Sequence, residues 1–188
     1  ANTLLTNQFW IGRGMNLGRI ASSGVVVLNA DDTINMALQQ MWWLNVRHLP
    51  VVDNDQLAGM VSIGDLVKRI IADEGRIDVL INNAGFGLYG PVEDVPLEDA
   101  RYQFEVNMFG MADLTQLVLP HMRGQKSGRI VNTSSMAGLL GGMAGWGPYN
   151  STKFAVVGLT EVLRQEGREG GFGASVLCPG GVNTNIFD

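Results

Sequence analysis

Tyr149-Asn150-Ser151-Thr152-Lys153 sets a phenol and an ammonium four residues apart in a stretch that reads as helix. Positions i and i+4 share one helix face, so the two polar tips can converge on one small-molecule site. A phenol titrates near ~10, and a neighbouring cation is one of the few influences that lowers that value toward neutrality. Tyr149 is therefore a candidate general acid/base and Lys153 its tuner. A surface Tyr and Lys on any amphipathic helix share this spacing, so the reading depends on what the rest of the chain brings to the same place.

Three apolar runs end in polar, glycine-bearing loops: Asn82-Asn83-Ala84-Gly85, Ser134-Ser135-Met136-Ala137-Gly138 and Pro179-Gly180-Gly181-Val182-Asn183-Thr184. Between them the pattern alternates: strand 77–81, a helix over about 97–122, strand 129–132, a helix over about 148–165 and strand 174–177. The order predicts an α/β fold, part of a doubly wound parallel (Rossmann-like) sheet. Strands that are apolar throughout predict helices over both faces. Ligands in such sheets sit beyond the carboxyl ends of the strands, where all three loops fall.

With these motifs in this order, residues 74–188 resemble the short-chain dehydrogenase/reductase family, incompletely. The resemblance implies an NAD- or NADP-dependent oxidoreductase moving a hydride between nicotinamide and a small-molecule carbonyl or alcohol. It implies that Tyr149 exchanges a proton with the substrate oxygen, that Ser135 orients that oxygen, and that Lys153 binds the nicotinamide ribose. Asn107, in Val106-Asn107-Met108-Phe109-Gly110, would hold a proton-relaying water. Asn82, Asn83, Ala84, Gly85, Pro179, Gly180, Val182 and Thr184, together with Tyr149 and Lys153, would line the cofactor. Ser135 lies one residue farther from Tyr149 than the family's usual interval, which Met136 occupies; an extra residue in the loop 138–147 absorbs the shift, and Ser135 is preferred to Ser134.

Upstream the text differs. Residues 1–20 form an unassigned leader. Its cluster Gly12-Arg13-Gly14-Met15-Asn16-Leu17-Gly18 invites a phosphate-loop reading, but only Arg19 to Gly24 separate it from the next apolar run, too few for a crossover helix. Residues 21–73 read as a β-α-β-β-α unit and resemble a single cystathionine-beta-synthase (CBS) domain. That resemblance implies that Ser62 and Asp65 hold the phosphate and ribose of an adenosine nucleotide, in a site that a second copy completes. The residues alone read rather as a helix cap with an acid in the first turn. On this division the family's first strands and glycine loop are replaced, so nicotinamide binding is expected to be weak. The 21–73 unit is then expected to cover or extend the edge of strand 77–81, since an unpaired edge invites aggregation.

The chain has 188 residues, 46% hydrophobic and 16% charged, enough for a real core. A net charge of −5 with no basic cluster argues against nucleic acid as a partner. One cysteine, Cys178, excludes an internal disulfide and reads as a small buried hydrophobe. The two histidines, His48 and His121, lack ligand-spaced companions, so no metal is expected. No apolar run approaches the ~20 residues of a membrane span. The expectations are a cytoplasmic protein, with homo-oligomerisation left open, and one of three functions: an oxidoreductase, an adenosine-nucleotide sensor, or an inactive fused or truncated chain.

Overall fold

A computed structural model describes residues 26–44 and 46–181. The glycine cluster 12–18 and the cofactor-lining expectations at Val182 and Thr184 lie outside the described residues. The first unit follows the order read from the sequence: β1 (Leu28–Asn29), α1 (Ile34–Trp43), β2 (His48–Asp53), β3 (Gln56–Ser62) and α2 (Ile63–Glu74). Its strands form a separate sheet, β1 parallel to β2 and β2 antiparallel to β3. Leu28, Ala37, Met41, Leu49 and Leu66 fill its small core.

The second unit carries three parallel strands in the order β4 (Val79–Asn82), β5 (Arg129–Thr133), β6 (Gly173–Leu177). Parallel neighbours need long crossovers. The first is α3 (Leu97–Phe104), a π-helical stretch Glu105–Phe109 and α4 (Gly110–Gln125); the second is α5 (Gly147–Gly170). Asn82 and Asn132 are register partners, so their side chains share a sheet face; they bond to α4 and α5 respectively, which places both helices on that face. Helix α5 runs where it does because Tyr149, Thr152, Lys153, Val156, Thr160 and Leu163 form a buried stripe at three- and four-residue intervals. The main core joins Val118, Met122, Ile130, Leu163, Phe172 and Ala174 to Val67 of α2, with Ile71 packed beside them. Arg47 and Asp113 add an ion pair between the units at 3.3 Å, largely solvated and worth little.

Two expectations are corrected. Among the described residues strand β4 pairs with β5 alone, so the N-terminal unit does not extend its edge; Val67 and Ile71 of α2 pack into the core that Leu80 joins instead. Among the described residues helices also do not cover both faces: Val79 and Ile81, which alternate with Leu80 and Asn82, are 53% and 63% exposed.

Candidate active site

The carboxyl ends of β4, β5 and β6 open into a cavity of about 770 Å³ lined by Asn83, Gly85, Ser135, Tyr149, Lys153 and Pro179, among others. This is the crevice the parallel topology predicts, and its volume lies within the range of about 300–1,000 Å³ usual for small-molecule sites. Tyr149 and Lys153, 4% and 3% exposed, reach it from the first turns of α5, and the Lys153 Nζ stands 5.7 Å from the Tyr149 ring centre. Lys153 donates one hydrogen bond to the Thr133 carbonyl at 3.1 Å. Burial lowers its pKa from 10.5 to about 8, with the nearby Cys178 acting in the opposite direction. An ammonium held with so little compensation is poised to take further acceptors.

The two serines divide their tasks. Ser134 Oγ donates to the Lys153 carbonyl at 2.7 Å, tying the end of β5 to α5. Ser135 Oγ accepts from the Ala137 N–H at 3.1 Å, which starts the short turn Met136–Gly138 and leaves the Ser135 proton for another acceptor. Gly138 makes the arrangement feasible: a Cβ there would stand 2.6 Å from the Lys153 carbonyl oxygen and closer still to Ser134 Oγ.

Asn107 sits in the π-helical stretch, where the Gly110 N–H reaches back to the Glu105 carbonyl. Such bulges re-aim side chains and recur at functional sites. Its Nδ2 donates to the Phe86 carbonyl (2.9 Å) and to Thr152 Oγ1 (3.1 Å), and its Oδ1 accepts from the Phe86 N–H (3.0 Å). Thr152 in turn donates to the Tyr149 carbonyl at 2.8 Å. The loop after β4 is thereby tied through Asn107 to the turn of α5 that bears Tyr149. Gly85 completes the contact, since a Cβ there would meet Asn107 Oδ1 at 3.1 Å and Lys153 Nζ at 3.3 Å.

Asn82 does not join the cavity. Its Nδ2 donates to Thr115 Oγ1 (3.1 Å) and Asn132 Oδ1 (2.8 Å), and Asn132 continues to Thr160 Oγ1 (2.9 Å). It is a buried strut between sheet and helices, whereas Asn83 faces the cavity, and Ala84 is exposed beside it. Ser62 and Asp65 are likewise absorbed locally. Ser62 Oγ donates to Asp65 Oδ2 (2.6 Å) and accepts from the Asp65 N–H (3.1 Å), and the Ser62 N–H returns to the same carboxylate (3.1 Å). This reciprocal cap of α2 holds the Asp65 pKa below its usual value, chiefly through the Ser62 hydroxyl. It occupies the groups that the nucleotide reading required.

The sequence reading missed the apolar wall. The ring centres of Tyr89 and Trp146 lie 5.5 and 5.8 Å from that of Tyr149 and 4.8 Å from each other. Burial, and secondarily Tyr149, raises the Tyr89 pKa to about 12. These residues lie in loops without periodicity, and the one available signal was the density of large side chains around the Tyr149 motif. No group of three or more potential metal ligands occurs among the described residues, nor any helix long and apolar enough to cross a membrane.

The family model for short chain dehydrogenases matches residues 20–188, and the chain belongs to that family. The match runs through the segment read as a cystathionine-beta-synthase-like unit, so that assignment gains no support and the family's extent begins well before residue 74. The chain is 38% identical over 128 residues to a 3-ketodihydrosphingosine reductase of Bacteroides thetaiotaomicron, covering 68% of this chain and 47% of the relative. It is 32% identical over 180 residues to the oxidoreductase UcpA of Salmonella typhimurium, covering 94% of this chain and 68% of the relative. Among solved structures it is similar to an NAD+-bound xylitol dehydrogenase, with a TM-score of 0.62 and 32% identity over 66% of this chain and 49% of that one. The enzyme ElxO with NADP bound gives 0.61 and 29%, over 69% and 53%. The chain thus spans about half the length of most of the relatives it matches.

Proposed function

We propose that the cavity is the nicotinamide-proximal half of an oxidoreductase site that interconverts a carbonyl and an alcohol using NAD or NADP. The observation that carries this reading is the burial of Tyr149 and Lys153 beside each other in the lining of one cavity, which Ser135 also lines. Relatives with NAD+ or NADP bound support the choice of cofactor. The residues present fit its nicotinamide-ribose portion. Lys153 has N–H groups beyond the one given to Thr133 for the ribose hydroxyls, and Gly85, lying against Asn107 and Lys153 with no side chain of its own, leaves room for close approach. Asn83, Pro179 and Gly180 line the same space. For the adenosine end the described residues offer no corresponding cradle, because β4 is an edge and the strand-order reversal over which a dinucleotide extends lies beyond it.

The nicotinamide, when bound, supplies or accepts the hydride at the substrate carbon. In the reducing direction Tyr149 gives its phenolic proton to the substrate oxygen, and the adjacent Lys153 ammonium favours the phenolate that results. Ser135 donates to the same oxygen and fixes its position, its own oxygen being held by the Ala137 N–H. Asn107 acts as a positioning residue, holding the Phe86 loop against Thr152 and so fixing the turn that presents Tyr149. A relay water near Asn107 would return the proton to Tyr149. The test is NAD(P)H oxidation with simple ketones: Tyr149→Phe removes only the phenol oxygen and is expected to abolish turnover with the fold intact. Turnover near the unsubstituted level in that variant would remove the mechanism.

A further inference from the structure

Apart from the catalytic groups, the cavity wall has a consistent chemistry. Among the described residues that line it, Lys153 is the one charged side chain, and the Ser134 hydroxyl is spent on the α5 backbone. A carboxylated or phosphorylated substrate would want an Arg or a second Lys here, and a polyol would want several free amide or carboxylate acceptors. The wall instead offers the Tyr89 and Trp146 rings and then Met136, Leu140 and Met143, which are 45%, 60% and 57% exposed. Beyond Met143, which lines both, a shallower hollow of about 550 Å³ continues along Val92 (76% exposed) and Phe154 (45%). A contiguous exposed apolar strip of this kind is unusual on a surface with no task for it. Methionines at two points along it let the strip follow different hydrocarbon shapes.

Resting on the oxidoreductase reading above, we propose that the substrate is an uncharged carbonyl or secondary alcohol on an extended hydrocarbon body, laid along Met136, Leu140 and Met143 toward Val92 and Phe154. The oxygen end sits at Tyr149 and Ser135, and the body leaves the cavity over the loop that precedes α5.

The test measures binding separately from turnover. Dissociation constants for 2-butanone, 2-hexanone and 2-octanone are measured by ligand-observed NMR on the 188-residue chain. Each methylene buried along the strip strengthens binding about two- to fourfold. Leu140→Glu, at an exposed position, is expected to flatten the series to below about 1.5-fold per methylene. Val162→Glu, equally exposed on α5 but away from the cavity, leaves the slope unchanged. A flat series in the unsubstituted chain, a slope that survives Leu140→Glu, or tighter binding of ribitol or 3-hydroxybutyrate than of 2-octanone would overturn the proposal. A steep, Leu140-dependent series without hydride transfer would remove the oxidoreductase reading and leave the apolar site standing. Hydride transfer from a polyol or hydroxy acid to NAD+ or NADP+ with a flat ketone series would do the reverse.

Discussion

Gly138→Ala adds one methyl group at the point where β5, the Met136–Gly138 turn and α5 meet. The new Cβ would stand 2.6 Å from the Lys153 carbonyl oxygen and 2.8 Å from its carbonyl carbon, with Ser134 Oγ closer still. Two of these atoms are backbone in the middle of a packed helix, so no rotamer change relieves the overlap. The turn must move, and the 2.7 Å bond from Ser134 to Lys153 goes with it. Overpacking costs about 1–3 kcal/mol and the lost bond about 0.5–1.5 kcal/mol, together about 2–4 kcal/mol. At an m-value of roughly 2 kcal/mol/M in urea, the unfolding midpoint falls by about 1–2 M. Gly158→Ala is the matched control: it lies inside α5 with open space around it and is expected to raise stability by about 1 kcal/mol through helix propensity. Removing the serine hydroxyl as well, in Ser134→Ala/Gly138→Ala, recovers little because the backbone overlap remains. A Gly138→Ala midpoint within 0.3 M of the unsubstituted chain, by circular dichroism in urea, would show that the turn is not pinned against α5 and would refute this account of how Ser135 is placed.

Three further outcomes follow from the same geometry. Lys153 has a folded pKa of about 8 against 10.5 unfolded, so the unfolded chain binds more protons between those values; its contribution makes stability rise by up to about 3 kcal/mol from pH 8 to 10.5, and Lys153→Met should abolish that rise in pH-dependent urea melts. Asn82→Ala strands the buried acceptors on Thr115 and Asn132 and should cost about 1–3 kcal/mol of stability without changing cofactor affinity, whereas Asn83→Ala should do the opposite; calorimetry and urea melts on the pair separate strut from ligand. The 188-residue chain should bind NADH and NADPH weakly. Three charge-assisted hydrogen bonds to the pyrophosphate, for which the described residues offer no donors, are worth about 4.5–9 kcal/mol, or roughly 10³- to 10⁶-fold, so titration calorimetry should return millimolar or weaker constants, and low micromolar ones would refute the expectation.

The convergence of Tyr149 and Lys153 on one cavity was legible because a helix repeats: the four-residue interval needs only that α5 form, and the strip Val156, Thr160, Leu163 makes it form with that face inward. Ser135 was chosen over Ser134 from the family resemblance; the strand pattern by itself brings both serines to the crevice, and both line the cavity. What failed was the orientation of neighbours. Asn82 and Asn83 are chemically identical and adjacent, and only the pleat of β4 sends one to Thr115 and the other to the cavity. In the N-terminal unit the element order was right, but Ser62 and Asp65 satisfy each other across the start of α2, and such a cap looks in sequence the same as a ligand pair. The exposed edge of β4 and the wall of Tyr89, Trp146 and Met143 depend on contacts between distant segments, which no local pattern encodes.

The most direct measurement of the central claim follows the hydrogen itself. The chain is incubated with millimolar NADPH or NADH deuterated at the transferred position and with 2-octanone, and 2-octanol is examined for label by mass spectrometry, which tolerates weak cofactor binding. A general acid contributes about 10²- to 10⁴-fold, so label should appear at the carbinol carbon and fall by at least about 100-fold in Tyr149→Phe. Alcohol labelled equally in both proteins, or no label in the unsubstituted chain with either cofactor, would contradict it.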